Sequence, residues 1–156
     1  MAIRTIREAG DPCLTKVCRP VTEFNARLHQ LLDDMADTLA EAGGVGLAAP
    51  QVGIVRRAVV IDVGQGVIEM INPEIVYESR ETVCEAEGCL SYPGEYGMVS
   101  RPVRVNCKYQ SRYGKEQEIA ADGLLARAIC HECDHLDGKV FKDIAERMLS
   151  PEEMKD

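Results

Sequence analysis

A chain of 156 residues with 46% hydrophobic and 28% charged positions has enough material for one domain, expected over residues 1–156, whose core stands without disulfides. A formal charge of −8 argues against a sequence-independent grip on nucleic acid, which needs clustered Lys and Arg to displace counterions. Met1-Ala2-Ile3-Arg4 opens no apolar run of signal-peptide length, nothing reaches the length of a membrane span, and seven scattered cysteines do not make a secreted disulfide scaffold; a reducing cytoplasm is expected.

Phe24, Leu28, Leu31, Leu32, Met35 and Leu39 recur at helical spacing and predict an amphipathic helix, with Asn25 as N-cap and Gly43-Gly44 as its stop. Its apolar stripe should pack on a sheet, and His29 should be a surface residue. From Arg57 to Ala120 the pattern turns to short β-rich runs: Ala58–Val63, Val67–Ile71, Ile75–Tyr77, Glu81–Ala86, Val103–Tyr109 and Glu116–Ala120. Gly64-Gln65-Gly66, Asn72-Pro73 and Tyr113-Gly114 are read as the turns between them. A second long helix follows, with Asp122 as cap and Asp137-Gly138 as its end. Successive strands without βαβ alternation predict an α+β domain: mainly antiparallel sheets packed around that second helix, with the N-terminal amphipathic helix alongside. No repeat, low-complexity segment or linker interrupts it.

The second helix carries His131-Glu132-Cys133-Asp134-His135. At about 100° per residue, His131 and His135 lie roughly 40° apart and can grip one metal ion. Glu132 falls within the apolar arc formed by Leu124, Leu125, Ala128, Ile129 and Leu136. Burying an unpaired carboxylate costs several kcal/mol, so a glutamate there needs a compensating role, and general base toward a metal-activated water is the obvious one. The bland alternative is a chance H-E-x-x-H in an ordinary helix.

A catalytic divalent ion usually takes three protein ligands and leaves one position open. No histidine follows His135, so the third ligand is sought upstream, in Glu87-Gly88-Cys89-Leu90-Ser91, where a cysteine follows a glycine at the end of a strand-like run. A metal-bound Cys89 thiolate is the preferred reading. With Gly44-Val45-Gly46-Leu47-Ala48-Ala49-Pro50-Gln51, the chain now resembles the peptide deformylases, whose signature is these three motifs in this order. The resemblance runs from Gly10-Asp11-Pro12 to Phe141.

The resemblance implies a metal-dependent hydrolase that removes the N-terminal formyl group from formyl-methionyl nascent polypeptides and releases formate. Cys89, His131 and His135 would hold one divalent ion and Glu132 would move the proton. The Gln51 side-chain amide and the Leu90 backbone N–H would stabilise the oxyanion. Gly44, Val45 and Gly46 look like an edge that pairs with the substrate main chain, since glycines admit a close backbone. A methionine pocket is implied, with Leu124 and Ala128 as candidate walls. One thiolate and two imidazoles suit Zn²⁺ on ligand grounds; the resemblance favours Fe²⁺ in the cell, with Zn²⁺, Ni²⁺ or Co²⁺ as other occupants. Partners implied are N-formylmethionyl peptides, nascent chains and a transient ribosome contact, with no nucleic-acid readout and no membrane.

Two departures stand out. Many relatives carry an Arg shortly after the cysteine motif, where this chain reads Ser91-Tyr92-Pro93-Gly94-Glu95-Tyr96. Several continue into a long C-terminal helix that this chain lacks after Ser150-Pro151-Glu152-Glu153, which leaves any docking by such a helix open. Arg101 is expected to pair with Glu87 and brace the cysteine loop. The rival readings are a structural Cys₄ or redox site from Cys84, Cys89, Cys130 and Cys133, a peptidase acting on internal bonds, and a non-catalytic binding descendant. Cys133 points roughly 180° from the two histidines, which argues against the first.

Overall fold

The computed structural model describes residues 2–154; Met1, Lys155 and Asp156, part of the expected 1–156 domain, lie outside the described residues. Helix α1 spans Ala26–Ala42. The Asn25 side chain accepts the Leu28 N–H at 3.1 Å, and Gly43, at φ 70°, closes the helix with its N–H on the Leu39 and Ala40 carbonyls. His29 is not the free surface residue expected: its Nε2 lies 2.8 Å from the Arg112 carbonyl and its ring meets Tyr113 edge-on, so it is half-buried.

The strands are β1 (Gly46–Ala48), β2 (Ala58–Ile61), β3 (Ile68–Glu78), β4 (Thr82–Cys89), β5 (Tyr92–Pro102), β6 (Arg104–Gln110), β7 (Glu116–Asp122) and β8 (Arg147–Met148). Helix α2 covers Gly123–Leu136 and a single turn, α3, covers Phe141–Ile144. The strands form two sheets, β1-β2-β3-β6-β7 and β4-β5-β8, with every paired neighbour antiparallel. The α+β architecture is the one the pattern predicts.

Strand β2 is buried on both faces. Ala58 and Val60 meet Leu32, Met35 and Leu39 of α1, while Val59 and Ile61 meet Ala126, Ile129 and Cys130 of α2. The alternation of side chains along one strand thus divides the core in two. Helix α2 touches strands of both sheets and is the central element. Asp122 precedes it, as expected, without a side-chain capping bond. Among the described residues, no helix is long and apolar enough to cross a membrane.

Three strand readings are corrected. Asn72-Pro73 is not a turn: β3 runs through it with a register shift between Ile71 and Glu74. Asn72 sits at φ 52°, and its side chain bonds Val21 N–H, Val21 carbonyl and Gln110 Oε1 at 2.8–2.9 Å. The irregularity absorbs a proline that cannot donate to a ladder. Strand β4 continues past Ala86 to Cys89, and β5, which contains Pro93 and Gly94, is a strand absent from the expected runs. These two residues fall between Tyr92, paired to Cys89, and Tyr96, paired to Gly88, so β5 carries them as a bulge.

Candidate metal and catalytic site

The β4–β5 hairpin turns through Leu90-Ser91 and presents Cys89 to α2. The ligand atoms of Cys89, His131 and His135 all lie within 4.8 Å of one another. Cys89 Sγ is 3.3 Å from His135 Nε2, which is 3.2 Å from His131 Nε2. Tetrahedral coordination at ordinary metal–N and metal–S lengths places such atoms about 3.3–3.6 Å apart, so the cluster fits a single divalent ion. A structural Cys₄ site does not form: Cys84 is exposed, and Cys133 packs beside Cys107 of β6 on the far side of the helix.

His131 Nδ1 lies 2.5 Å from Glu87 Oε2. A carboxylate there fixes the proton on Nδ1 and leaves Nε2 free to ligate. Arg101 grips the same Glu87 through Nε and Nη2, at 3.1 and 2.6 Å, and reaches Asp134 at 2.7 Å. The expected Arg101–Glu87 pair is therefore present. Arg127, which was not anticipated, adds Nη1 to Glu87 Oε1 at 2.9 Å and bonds the Val83 and Val99 carbonyls at 2.8 and 3.0 Å. Its signal was available: an arginine within the apolar run Leu124–Ile129 has to find a buried partner. Burial would raise the Glu87 pKa, but the bonds from His131 and Arg101 prevail and hold it at about 2.

Glu132 is buried, and burial pushes its pKa up to about 7. Its Oε1 and His135 Nδ1 are buried without a hydrogen-bond partner. An unpaired carboxylate at this depth is costly unless the chemistry of the site uses it. Gly46 makes room for it, since a Cβ there would sit 3.0 Å from Glu132 Cγ and Cδ. At Gly44 a Cβ would come 2.8 Å from Leu90 Cδ1, so this glycine lets the hairpin tip approach.

Gln51 is buried. Its Oε1 accepts the Ala48 N–H at 2.9 Å, and its Nε2 donates to Ser91 Oγ at 3.1 Å and lies 3.5 Å from Cys89 Sγ. Strand β1 is an edge of its sheet. Val45 turns its carbonyl to the Asp62 N–H at 2.7 Å, so the alternation of an antiparallel ladder aims the polar groups of Gly46 away from β2, toward the open edge. Of the three residues expected to form the pairing edge, Val45 thus has its carbonyl engaged within the sheet. A cleft of about 530 Å³ joins these parts, bordered by Gly44–Gly46, Gly88–Leu90, Tyr96 and the α2 residues Leu124, Ala128, His131 and Glu132. Leu124, expected in the apolar arc and as a pocket wall, is 53% exposed and lies on the cleft border.

The sequence profile of the polypeptide deformylases matches residues 3–150. The chain belongs to the peptide deformylase family. It is 57% identical over 153 residues to a peptide deformylase of Thermoanaerobacter pseudethanolicus, covering 98% of this chain and 96% of the relative. A relative from Caldicellulosiruptor bescii is 54% identical over 155 residues, covering 99% of this chain and 93% of its own length. Among solved structures, the peptide deformylase from Thermotoga maritima superposes with a TM-score of 0.92 at 42% identity, covering 94% of this chain and 99% of that one. That from Synechococcus elongatus, crystallised with actinonin, gives 0.88 at 41% identity, covering 91% and 78%.

Proposed function

We propose that this protein hydrolyses the formamide bond of N-formylmethionyl peptides, with Cys89, His131 and His135 holding one divalent ion. The observation that carries the reading is the placement of a buried, unpaired Glu132 carboxylate one residue from a cluster whose donor atoms already stand at coordination distances. A divalent ion bound there supplies Lewis acidity, which polarises the carbonyl and eases deprotonation of water. Glu132 accepts the proton of the attacking water and returns it to the departing amine. Formamide and water become formate and a free amino terminus.

Gln51 Nε2 has two hydrogens: one engages Ser91 Oγ, and the other is directed toward the Cys89 side, where the oxyanion would form. The Leu90 N–H at the hairpin turn is assigned as the second donor. Each such donor is typically worth about 3 kcal/mol in the transition state. Gly44 and Gly46 supply the edge for the substrate backbone, and Leu124 and Ala128 are proposed walls of the methionine pocket. Fe²⁺ is proposed as the cellular ion on family resemblance, with Zn²⁺, Ni²⁺ or Co²⁺ as other occupants. The proposed setting is one domain in the cytoplasm, where nascent chains are met by transient contact with ribosomes; all seven cysteines being free supports a reducing compartment.

The test is anaerobic formate release from formyl-Met-Ala-Ser beside unformylated Met-Ala-Ser, with metal content recorded. Formate from the first without backbone cleavage of either supports the proposal, and actinonin should suppress it. Glu132→Gln should keep the metal and lose most turnover. A metal-replete protein that releases no formate would overturn the reading.

A further inference from the structure

We propose that the N-terminal arm, residues 2–11, is a positioning element of the active site that fixes Gln51 relative to the Leu90-Ser91 turn. The inference rests on the reading of Gln51 and Leu90 as oxyanion donors.

Residues 2–8 form no helix or strand, and the sequence gives them no motif. Yet the Arg7 N–H donates to the Gln51 carbonyl at 2.7 Å, and the Ala9 N–H donates to the Ser91 carbonyl at 3.0 Å. In an extended chain, residues two apart present their N–H groups on one side, roughly 6.6 Å from each other. A single stretch of backbone therefore spans two loops that belong to different sheets. Gln51 lies in the turn Ala49–Val52 that follows β1, and Ser91 lies in the β4–β5 hairpin; no ladder joins the two sheets. On the cleft side the loops meet through Gln51 Nε2 and Ser91 Oγ. The arm supplies a second, main-chain connection.

The arm is itself anchored at both ends. The Arg4 N–H donates to Thr38 Oγ1 at 2.9 Å, and the Arg4 guanidinium pairs with the buried Asp34 at 3.0 Å. At the other end Asp11 caps the turn Pro12–Thr15, whose Leu14 is buried. The Arg7 side chain lies flat on Gly53, the residue that closes the Gln51 turn, where a Cβ would come 2.7 Å from Nη2. Both the backbone and the side chain of Arg7 thus bear on the segment that carries Gln51. A displaced donor costs far more than its change in position suggests, because oxyanion stabilisation depends on preorganised geometry.

The experiment is a cycle of variants of the full, metal-replete chain: Ala9→Pro, Gln51→Ala and the pair. Proline removes the N–H that holds Ser91. Replacing Ala9 by lactic acid, which turns the amide into an ester of nearly the same shape, provides a second variant should proline disturb folding. The expected result is a kcat lower by about tenfold in either Ala9 variant, with KM within about twofold and metal content unchanged. In the Gln51→Ala background the same change should cost less than about twofold, since the donor it positions is gone. Full additivity, or a loss confined to thermal stability with kcat intact, would overturn the arm's role while leaving Gln51 as donor. A Gln51→Ala variant with normal kcat would instead overturn the donor assignment on which the inference rests.

Discussion

Substituting Gly46 by alanine tests the placement of Glu132 without touching any group that reacts. The added Cβ would stand 3.0 Å from Glu132 Cγ and Cδ, and nearer still to one carboxylate oxygen. Relaxed carbon contacts need about 3.5–4.0 Å, so the carboxylate has to retreat by roughly 0.5–1 Å. Glu132 is 3% exposed, so the room left for it to move is on the side of the cleft it borders. A displacement of about 1 Å at a catalytic group costs on the order of 100-fold in rate, or ~2.7 kcal/mol of barrier. Overpacking should also lower stability by about 1–3 kcal/mol. Steady-state formate release with metal content and thermal midpoint measured in parallel is the assay. The expected outcome is a folded, metal-bound enzyme with kcat down about 100-fold, and little further loss when Glu132→Gln is added. A Gly46→Ala protein within about threefold of wild-type turnover would refute the contact as the reason for glycine at this position.

Three further outcomes follow from the site and its surroundings. Glu87→Gln removes the charge facing Arg101, Arg127 and His131 but leaves Arg101 its bond to Asp134; it should cost about 3 kcal/mol in denaturant unfolding and weaken metal binding by about 10–100-fold. Unchanged affinity and stability would show that the network does not orient His131. Burial acts to raise the Asp34 pKa, but bonds from Gln30 and Arg4 outweigh it and hold it below 3.8; its contribution is present above that value and fades as pH falls through the lowered one. Protection of the Arg4 amide, measured relative to its intrinsic exchange rate at each pH, should therefore fall on acidification before the core opens, and Asp34→Asn should abolish that pH dependence. Cys130→Ser/Cys133→Ser should retain the metal while Cys89→Ser loses it; the reverse pattern in metal analysis would revive a structural cysteine site.

The sequence by itself determined what depends on spacing along the chain. Helical periodicity located α1 and its Asn25 and Gly43 ends, and i,i+4 spacing put His131 and His135 on one face with Glu132 beside them. These are local consequences of 3.6 residues per turn and need no neighbour to be inferred. The motifs Gly44–Gln51 and Glu87–Ser91 were legible instead through the resemblance to the family's signature. Strand β5 was not, because a bulge that tolerates Pro93 and Gly94 exists only by pairing with β4, and the Asn72-Pro73 irregularity survives through contacts with Val21 and Gln110 that are distant in sequence. Only the tertiary structure decided that Glu87 meets His131 and Arg127 as well as the expected Arg101, that Gln51 is buried against Ser91, and that an arm without a motif bridges the two loops. Such contacts arise where separately folded stretches are brought together by burial of the two core clusters, and no periodicity along the chain records which side chains will then face each other.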